Sequence, residues 1–315
     1  MRAFQVPAPG KGPELADLPA PEPGEGQVLV RVKAAGLNAI DNWIVAGQMA
    51  ETMRHVYPLV LGRDAAGVVE AVGPGDGQVG VGDEVIGHVL LGSPIHDGTL
   101  AEYAVLPTEA VARKPEGLDF VTAAALPLAG AAAKAAVDAV DPRAGHRVLV
   151  VGASGGVGSY VIQMLAAMGV TVMATGRESE TERLTELGAA RIIDYGAAPI
   201  ADQIREAYPE GIDGLIDVLA YTPQELPLAA VGEGGHVVSL LGAADEQALA
   251  AVGLTGTNII ARPTRDVLTM LADQVVAGGL KVDVETVLPL DRAADAFSIL
   301  ASGRARGKIV VQVNP

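Results

Sequence analysis

The run Arg147-Val-Leu-Val-Val-Gly-Ala-Ser-Gly-Gly-Val-Gly158 carries the clearest chemistry in the chain. Val148 to Val151 are strand formers, and Tyr160 to Met168 carry apolar residues suited to a packed helix. Between them lies a glycine turn. Such a turn lets backbone N–H groups approach a pyrophosphate closely, and the opening turn of the helix favours its negative charge. Ala153, Ser154, Gly155, Gly156 and Val157 are therefore expected to contact a dinucleotide. Ala153 stands where the usual G-x-G-x-x-G has its first glycine. The alternative is a glycine-rich strand-to-helix turn that holds nothing.

A second charged position refines the ligand. The next strand ends Val172-Met-Ala-Thr-Gly-Arg177, and Arg177 lies 19 positions after Gly158. An acid at about that distance suits the ribose 2′-OH of NAD, whereas a cation suits the 2′-phosphate of NADP. One charge-assisted hydrogen bond is worth about a tenfold to hundredfold preference. Arg177 thus points to NADP(H). Glu178 and Glu180 offer the opposite choice, and a cap on the strand end is the other role open to Arg177.

Around these residues the chain is long and acidic. Its 315 residues allow two domains, half of them are hydrophobic, and the net charge is −16. No basic stripe suggests nucleic acid. With no cysteine, the chain has neither disulfides nor thiolate ligands for zinc, and the five histidines lack metal-binding spacing. The first residues show no apolar signal core, so a cytoplasmic location is expected. The uncharged stretch 148–176 switches from strand to helix pattern. The alanine-rich stretch 121–140 holds Pro127, Lys134 and Asp138. Neither reads as a membrane span, and 121–140 is expected to be one packed helix.

The first third is rich in short strands (28–33, 67–72, 84–88, 100–105) separated by Gly, Pro and Asp turns. From about residue 119 the rhythm changes. Strands at 147–152, 170–175, 191–194, 213–218, 235–241 and 256–261 alternate with helical stretches, the pattern of a doubly wound parallel sheet. Helices near 265–277 and 291–302 follow. A last strand, 308–313, has the option of returning to the first lobe.

Several segments resemble a known family. They are Ala35-Gly-Leu-Asn38-Ala-Ile-Asp41, Pro58-Leu-Val-Leu-Gly62-Arg-Asp64-Ala-Ala-Gly67, Val81-Gly-Asp83-Glu-Val, Gly98-Thr-Leu-Ala-Glu102-Tyr, Ala123-Ala-Ala-Leu-Pro127-Leu-Ala-Gly130, the glycine turn, and Gly307-Lys308-Ile-Val. In order and spacing they resemble the zinc-free medium-chain dehydrogenases/reductases of the quinone oxidoreductase type, nearly end to end. The resemblance implies an α/β fold: a Rossmann domain at 119–264 beside a GroES-like β-rich catalytic domain at 1–118, completed by about 265–315. It also implies hydride transfer from NADPH to a quinone or an α,β-unsaturated carbonyl. Zinc-dependent relatives carry Cys where Asn38 stands and Gly-His-Glu where Gly62-Arg63-Asp64 stands, and the four-cysteine segment for a structural zinc is missing. A short-chain dehydrogenase is excluded, because no tyrosine here has lysine four places on.

By the same resemblance, Tyr195 helps hold the 2′-phosphate, and the backbone of Leu240, Leu241 and Gly242 faces the nicotinamide. Lys308 edges the cofactor; its alternative is a surface ion pair. Hydride transfer leaves negative charge on the acceptor oxygen, which needs a hydrogen-bond donor or a proton. Asn38 is the candidate donor, with tying down the loop backbone as its other role. Tyr57 is the candidate proton donor, with water as the substitute. Asp41 reads as a helix N-cap and Trp43 as core packing. His88 and His96 read as structural or solvated. Met49, Ala132 and Lys134 depart from the tyrosine, threonine and aromatic that relatives tend to carry. A non-catalytic NADPH-binding protein of the same fold is the second functional reading. The uncharged strand 256–261 is the expected homodimer edge.

Overall fold

The computed structural model describes every residue except Asp76, Ser93 and Pro315. The chain divides into two compact units: residues 1–131 with 263–315, and residues 132–262.

The first unit is built on antiparallel strands. β1 (Arg2–Val6) pairs with β2 (Glu14–Asp17) and with the short β4 (Leu59–Val60). The main sheet centres on β3 (Gln27–Gly36) and β5 (Asp64–Val72), followed by β6 (Glu84–His88) and β8 (Val111–Arg113). β7 (Tyr103–Pro107) pairs with β3 as well. In β3 every second residue, Val28, Val30, Val32 and Ala34, is fully buried, so the period-two pattern seen in the sequence is the pattern of burial. Those valines join Leu61, Leu100, Leu106 and Phe297 in one core.

The second unit is a six-stranded parallel sheet. β9 (Arg147–Val151), β10 (Thr171–Gly176), β11 (Arg191–Asp194), β12 (Ile212–Asp217), β13 (Val231–Ser239) and β14 (Thr255–Asn258) lie in the order β11-β10-β9-β12-β13-β14. Every pairing within it is parallel. This is the order of a Rossmann sheet, which reverses direction at β9 and places a ligand crevice beyond the carboxyl ends of its strands.

The chain then returns to the first unit. β15 (Val284–Pro289), which sequence reasoning did not mark, lies parallel to β16 (Lys308–Gln312). β16 runs antiparallel to β3, with Val310 opposite Gly36.

The stretch 121–140 is two helices rather than one. α1 (Ala39–Val45) precedes them near Asn38. α2 (Phe120–Ala124) stops before Pro127, and α3 (Pro127–Val140) begins on it. Proline has no N–H to donate and suits the first helical position, so it starts α3 instead of continuing α2. Residues 119–131 pack with the first unit, placing the division later than the sequence suggested. Two contacts account for this. Gly36 has no side chain where a Cβ would lie 2.2 Å from the Ala124 carbonyl, and the N–H of Leu128 meets the Asp64 carboxylate.

Candidate functional site

The glycine turn folds as the residues require. Gly152 follows β9 at φ +80°, in the left-handed region that favours glycine. A Cβ on Gly158 would lie 2.4 Å from the Gly152 carbonyl, so only glycine lets α4 (Gly156–Ala167) start this close to the strand. Gly155 is the N-cap, no side chain caps the helix, and its first turn holds no acid. The N–H groups opening this twelve-residue helix therefore meet no competing carboxylate, a setting that suits a diphosphate. Among the five expected contacts, the Ser154 carbonyl accepts two hydrogen bonds from the Arg183 guanidinium at 3.1 and 3.2 Å. Arg183 lies on α5 (Thr181–Glu186). Sequence reasoning missed this brace, since nothing in the spacing links the two residues.

Arg177 and Tyr195 come together. Gly176 pairs with Asp194 at the end of the parallel β10/β11 ladder, and Arg177 and Tyr195 are the residues that follow it. The Arg177 Nε donates to the Tyr195 hydroxyl at 3.0 Å, and its guanidinium carbon lies 5.7 Å from the ring centre. Both side chains are exposed. Glu180 is buried and accepts the Arg177 backbone N–H at 3.0 Å, so this acid caps a turn. Glu178 remains exposed. An exposed guanidinium steadied by a phenol fits a phosphate monoester, and the pair suits the 2′-phosphate of NADP(H).

Leu240, Leu241 and Gly242 follow β13. The Leu240 N–H donates to the Asp217 carbonyl at 3.1 Å and the Leu241 N–H to the Ser239 hydroxyl at 3.3 Å. Gly242, exposed and at φ +93°, has open space where a Cβ would be.

The first unit holds a second cluster, a polar row across one end of its sheet. The register explains it. β16 and β3 pair Val310 with Gly36, and continuing that register brings Lys308 opposite Asn38. Gly36 pairs with Asp64, and Asp64 with His88. Lys308 is buried, with only 4% of its surface exposed. Its Nζ donates to the Leu37 carbonyl at 2.7 Å and to Asn38 Oδ1 at 2.6 Å, and lies 3.9 Å from Asp64 Oδ2. The surface ion pair offered for Lys308 is thus corrected: extension of the ladder carries the ammonium inward. No cofactor edge is marked by these contacts, all of which lie within the first unit.

Asn38 donates from Nδ2 to Asp64 Oδ2 at 2.8 Å. Asp64 is fully buried and also meets His88 Nδ1 at 2.7 Å and the Leu128 N–H at 3.2 Å, near the N-terminus of α3. A buried carboxylate needs this many donors. His88 is accordingly structural, whereas His96 is half-buried beside the exposed Asp97. Burial lowers the Lys308 pKa below its ordinary value, while Asp64 and Asp41 oppose that shift. This donor set does not suit a metal: Lys308 brings positive charge to it, and the amide and carboxylate already engage each other.

Asp41 is not the N-cap. Asn38 holds that position on α1, and Asp41, three residues on, accepts the Asn38 backbone N–H at 2.8 Å through Oδ2. Its Oδ1 is buried without a protein partner, and burial raises its pKa to about 7 against the pull of the Asn38 N–H and of Arg63. Arg63 is buried too and donates to the Asp97 carbonyl at 3.2 Å. Trp43 is half-buried rather than part of the core.

Tyr57 keeps different company from Asn38. Its hydroxyl lies 3.4 Å from His55 Nδ1, and the two rings meet edge to face. Burial, with Arg63 second, lowers the His55 pKa and favours a neutral imidazole. Sequence reasoning named neither His55 nor the Asp64–His88 pair. The signal for the latter was the replaced segment Gly62-Arg63-Asp64 itself.

Comparisons with known proteins agree with this architecture. The alcohol dehydrogenase GroES-like domain family matches residues 24–116, and the zinc-binding dehydrogenase family matches residues 187–311. The chloroplastic NADPH-dependent alkenal/one oxidoreductase of Arabidopsis thaliana is 35% identical over 95% of this chain and 75% of its own length. The quinone oxidoreductase of Homo sapiens is 30% identical over 99% of this chain and 97% of its own. A crystal structure titled as an NAD-dependent alcohol dehydrogenase superposes with a TM-score of 0.88 at 33% identity, with both chains fully covered. The chain belongs to the medium-chain dehydrogenases/reductases, among the quinone oxidoreductase-like members.

Proposed function

We propose that this protein is an NADPH-dependent, metal-independent reductase that delivers hydride to a quinone or to the β-carbon of an α,β-unsaturated carbonyl. The observation that carries this reading is the Asn38 carboxamide, held between an ammonium and a carboxylate at the position where zinc-dependent relatives place a cysteine ligand. Such a group donates hydrogen bonds to a developing oxyanion but does not ionise an alcohol as a Lewis acid does. The NADPH-dependent alkenal/one oxidoreductase and the quinone oxidoreductase among its relatives support the acceptor class.

When bound, NADPH supplies the hydride. Arg177 and Tyr195 would hold its 2′-phosphate, and backbone N–H groups of the turn from Ala153 to Val157 would hold the diphosphate. The backbone of Leu240 to Gly242 would receive the nicotinamide carboxamide. Asn38 donates to the acceptor oxygen as charge builds on it, and the Tyr57 hydroxyl, backed by His55, supplies the proton that completes reduction. The chain works as a homodimer in the cytoplasm. β14 is an edge of its sheet, and Ile260 just beyond it is 81% exposed. Sedimentation of Ile260→Lys as a monomer, against a dimeric parent, is the expected result.

The test of function is loss of NADPH absorbance with a panel of quinones and enones, with NADH run in parallel. Turnover with NADPH preferred is expected. Tight NADPH binding with no turnover on any acceptor would favour the non-catalytic alternative. Preference for NADH would overturn the cofactor assignment.

No helix among the described residues is long and apolar enough to cross a membrane.

A further inference from the structure

We infer that Lys308 is a positioning residue for the reaction, orienting and polarising the Asn38 carboxamide. The inference rests on the reading of Asn38 as the oxyanion donor. Its basis is where the ammonium spends its hydrogen bonds. Lys308 Nζ lies 2.6 Å from the neutral Asn38 Oδ1 but 3.9 Å from Asp64 Oδ2. A lysine buried only to neutralise Asp64 would approach the carboxylate within hydrogen-bond distance. Asp64 instead takes its short contacts from Asn38 and His88.

The two partners also fix which way the amide faces. An ammonium only donates, so the atom it meets is the oxygen. A carboxylate only accepts, so the atom it meets is the nitrogen. The flipped amide would set Nδ2 against the ammonium and Oδ1 against the carboxylate, two repulsive contacts. Nδ2 carries two N–H groups and Asp64 takes one, which leaves the other, in a fixed direction, for a substrate oxygen. Positive charge on the amide oxygen draws electron density from the nitrogen and strengthens its N–H as a donor. The Lys308 stem is anchored at the start of β16 and its head on the Leu37 carbonyl, so the ammonium has little freedom to leave.

A double-mutant cycle on the full-length enzyme tests this. Lys308→Met and Asn38→Ala should each lower kcat at least tenfold, with the NADPH Kd changed less than twofold. The double variant should be no slower than Asn38→Ala, because Lys308 acts only through that amide. Losses that multiply, or a Lys308→Met enzyme with the parent kcat, would overturn the inference and leave the Asn38 reading standing. An Asn38→Ala enzyme with the parent kcat would remove the Asn38 reading, and the inference with it.

Should Lys308→Met fail to fold, as judged by Trp43 fluorescence and NADPH binding, the pH profile decides with the lysine in place. The parent kcat should fall on the alkaline side at a pH below the ordinary lysine range, as the ammonium deprotonates among Asp64, Asp41, His88 and Arg63. With Tyr57→Phe in both proteins, so that the phenol adds no alkaline limb of its own, Asn38→Ala should lose that limb. Its persistence in Asn38→Ala would overturn the inference.

Discussion

Asp41 sets a stability prediction that follows from burial alone. Its side chain is fully buried, one oxygen accepts the Asn38 N–H, and the other has no protein partner. Removal from water outweighs the attraction of Arg63 and Lys308, and the pKa rises from 3.8 to about 7. Between those values the folded protein keeps a proton that the unfolded chain has released. Stability therefore falls as pH rises through this window. The contribution is fully present below the unfolded value and lost once pH passes the folded one. Three pH units of separation amount to about 4 kcal/mol. That is a large share of the roughly 5–15 kcal/mol by which a domain is stable.

Asp41→Asn removes the titration and keeps an oxygen for the Asn38 N–H. At pH 4 the two proteins carry the same charge at this position and should differ little. By pH 8 the variant should have gained about 4 kcal/mol relative to the parent. Urea unfolding at intervals between these limits measures the difference. Trp43, the only tryptophan, lies two residues from the substitution and reports on the unit that contains it. The other acids titrate in both proteins and cancel in the comparison. A difference that stays flat within about 1 kcal/mol, or that grows toward acid, would refute the reasoning.

Three further outcomes are expected. If the guanidinium and Tyr195 address only the 2′-phosphate, Arg177→Ala should raise the NADPH KM at least tenfold and leave NADH nearly unchanged; equal losses for both would sink that assignment. Gly158→Ala should abolish NADPH binding measured by fluorescence titration, since its Cβ would lie 2.4 Å from the Gly152 carbonyl and push α4 away from β9; near-parent affinity would show that the turn absorbs the methyl group. Tyr57→Phe should lower kcat by about a hundredfold if the phenol is the proton donor, and an unchanged kcat would assign that step to water.

How far the sequence went depends on what kind of contact each site uses. The glycine turn was legible because a strand, a turn and a helix follow one another without interruption. Arg177 and Tyr195, 18 residues apart, meet because parallel neighbours in a Rossmann sheet end together. Once β10 and β11 are placed side by side, the residue after Gly176 and the residue after Asp194 must be neighbours. The Lys308–Asn38 contact had no such route. It depends on the register of an antiparallel pair whose strands are some 270 residues apart, and a slip of one residue would turn Lys308 to the opposite face. Composition and spacing say nothing about that register. The same gap explains why Lys308 read as a cofactor-edge residue or as half of a surface ion pair: lysine is seldom buried without a partner, and its partner lay at the far end of the chain. What the residues did carry was the substitution pattern. Asn at 38 and Arg-Asp at 63–64 stand where, by the resemblance, zinc-dependent relatives carry ligands, and Lys308 brings, from the other end of the chain, a positive charge to this row of the sheet.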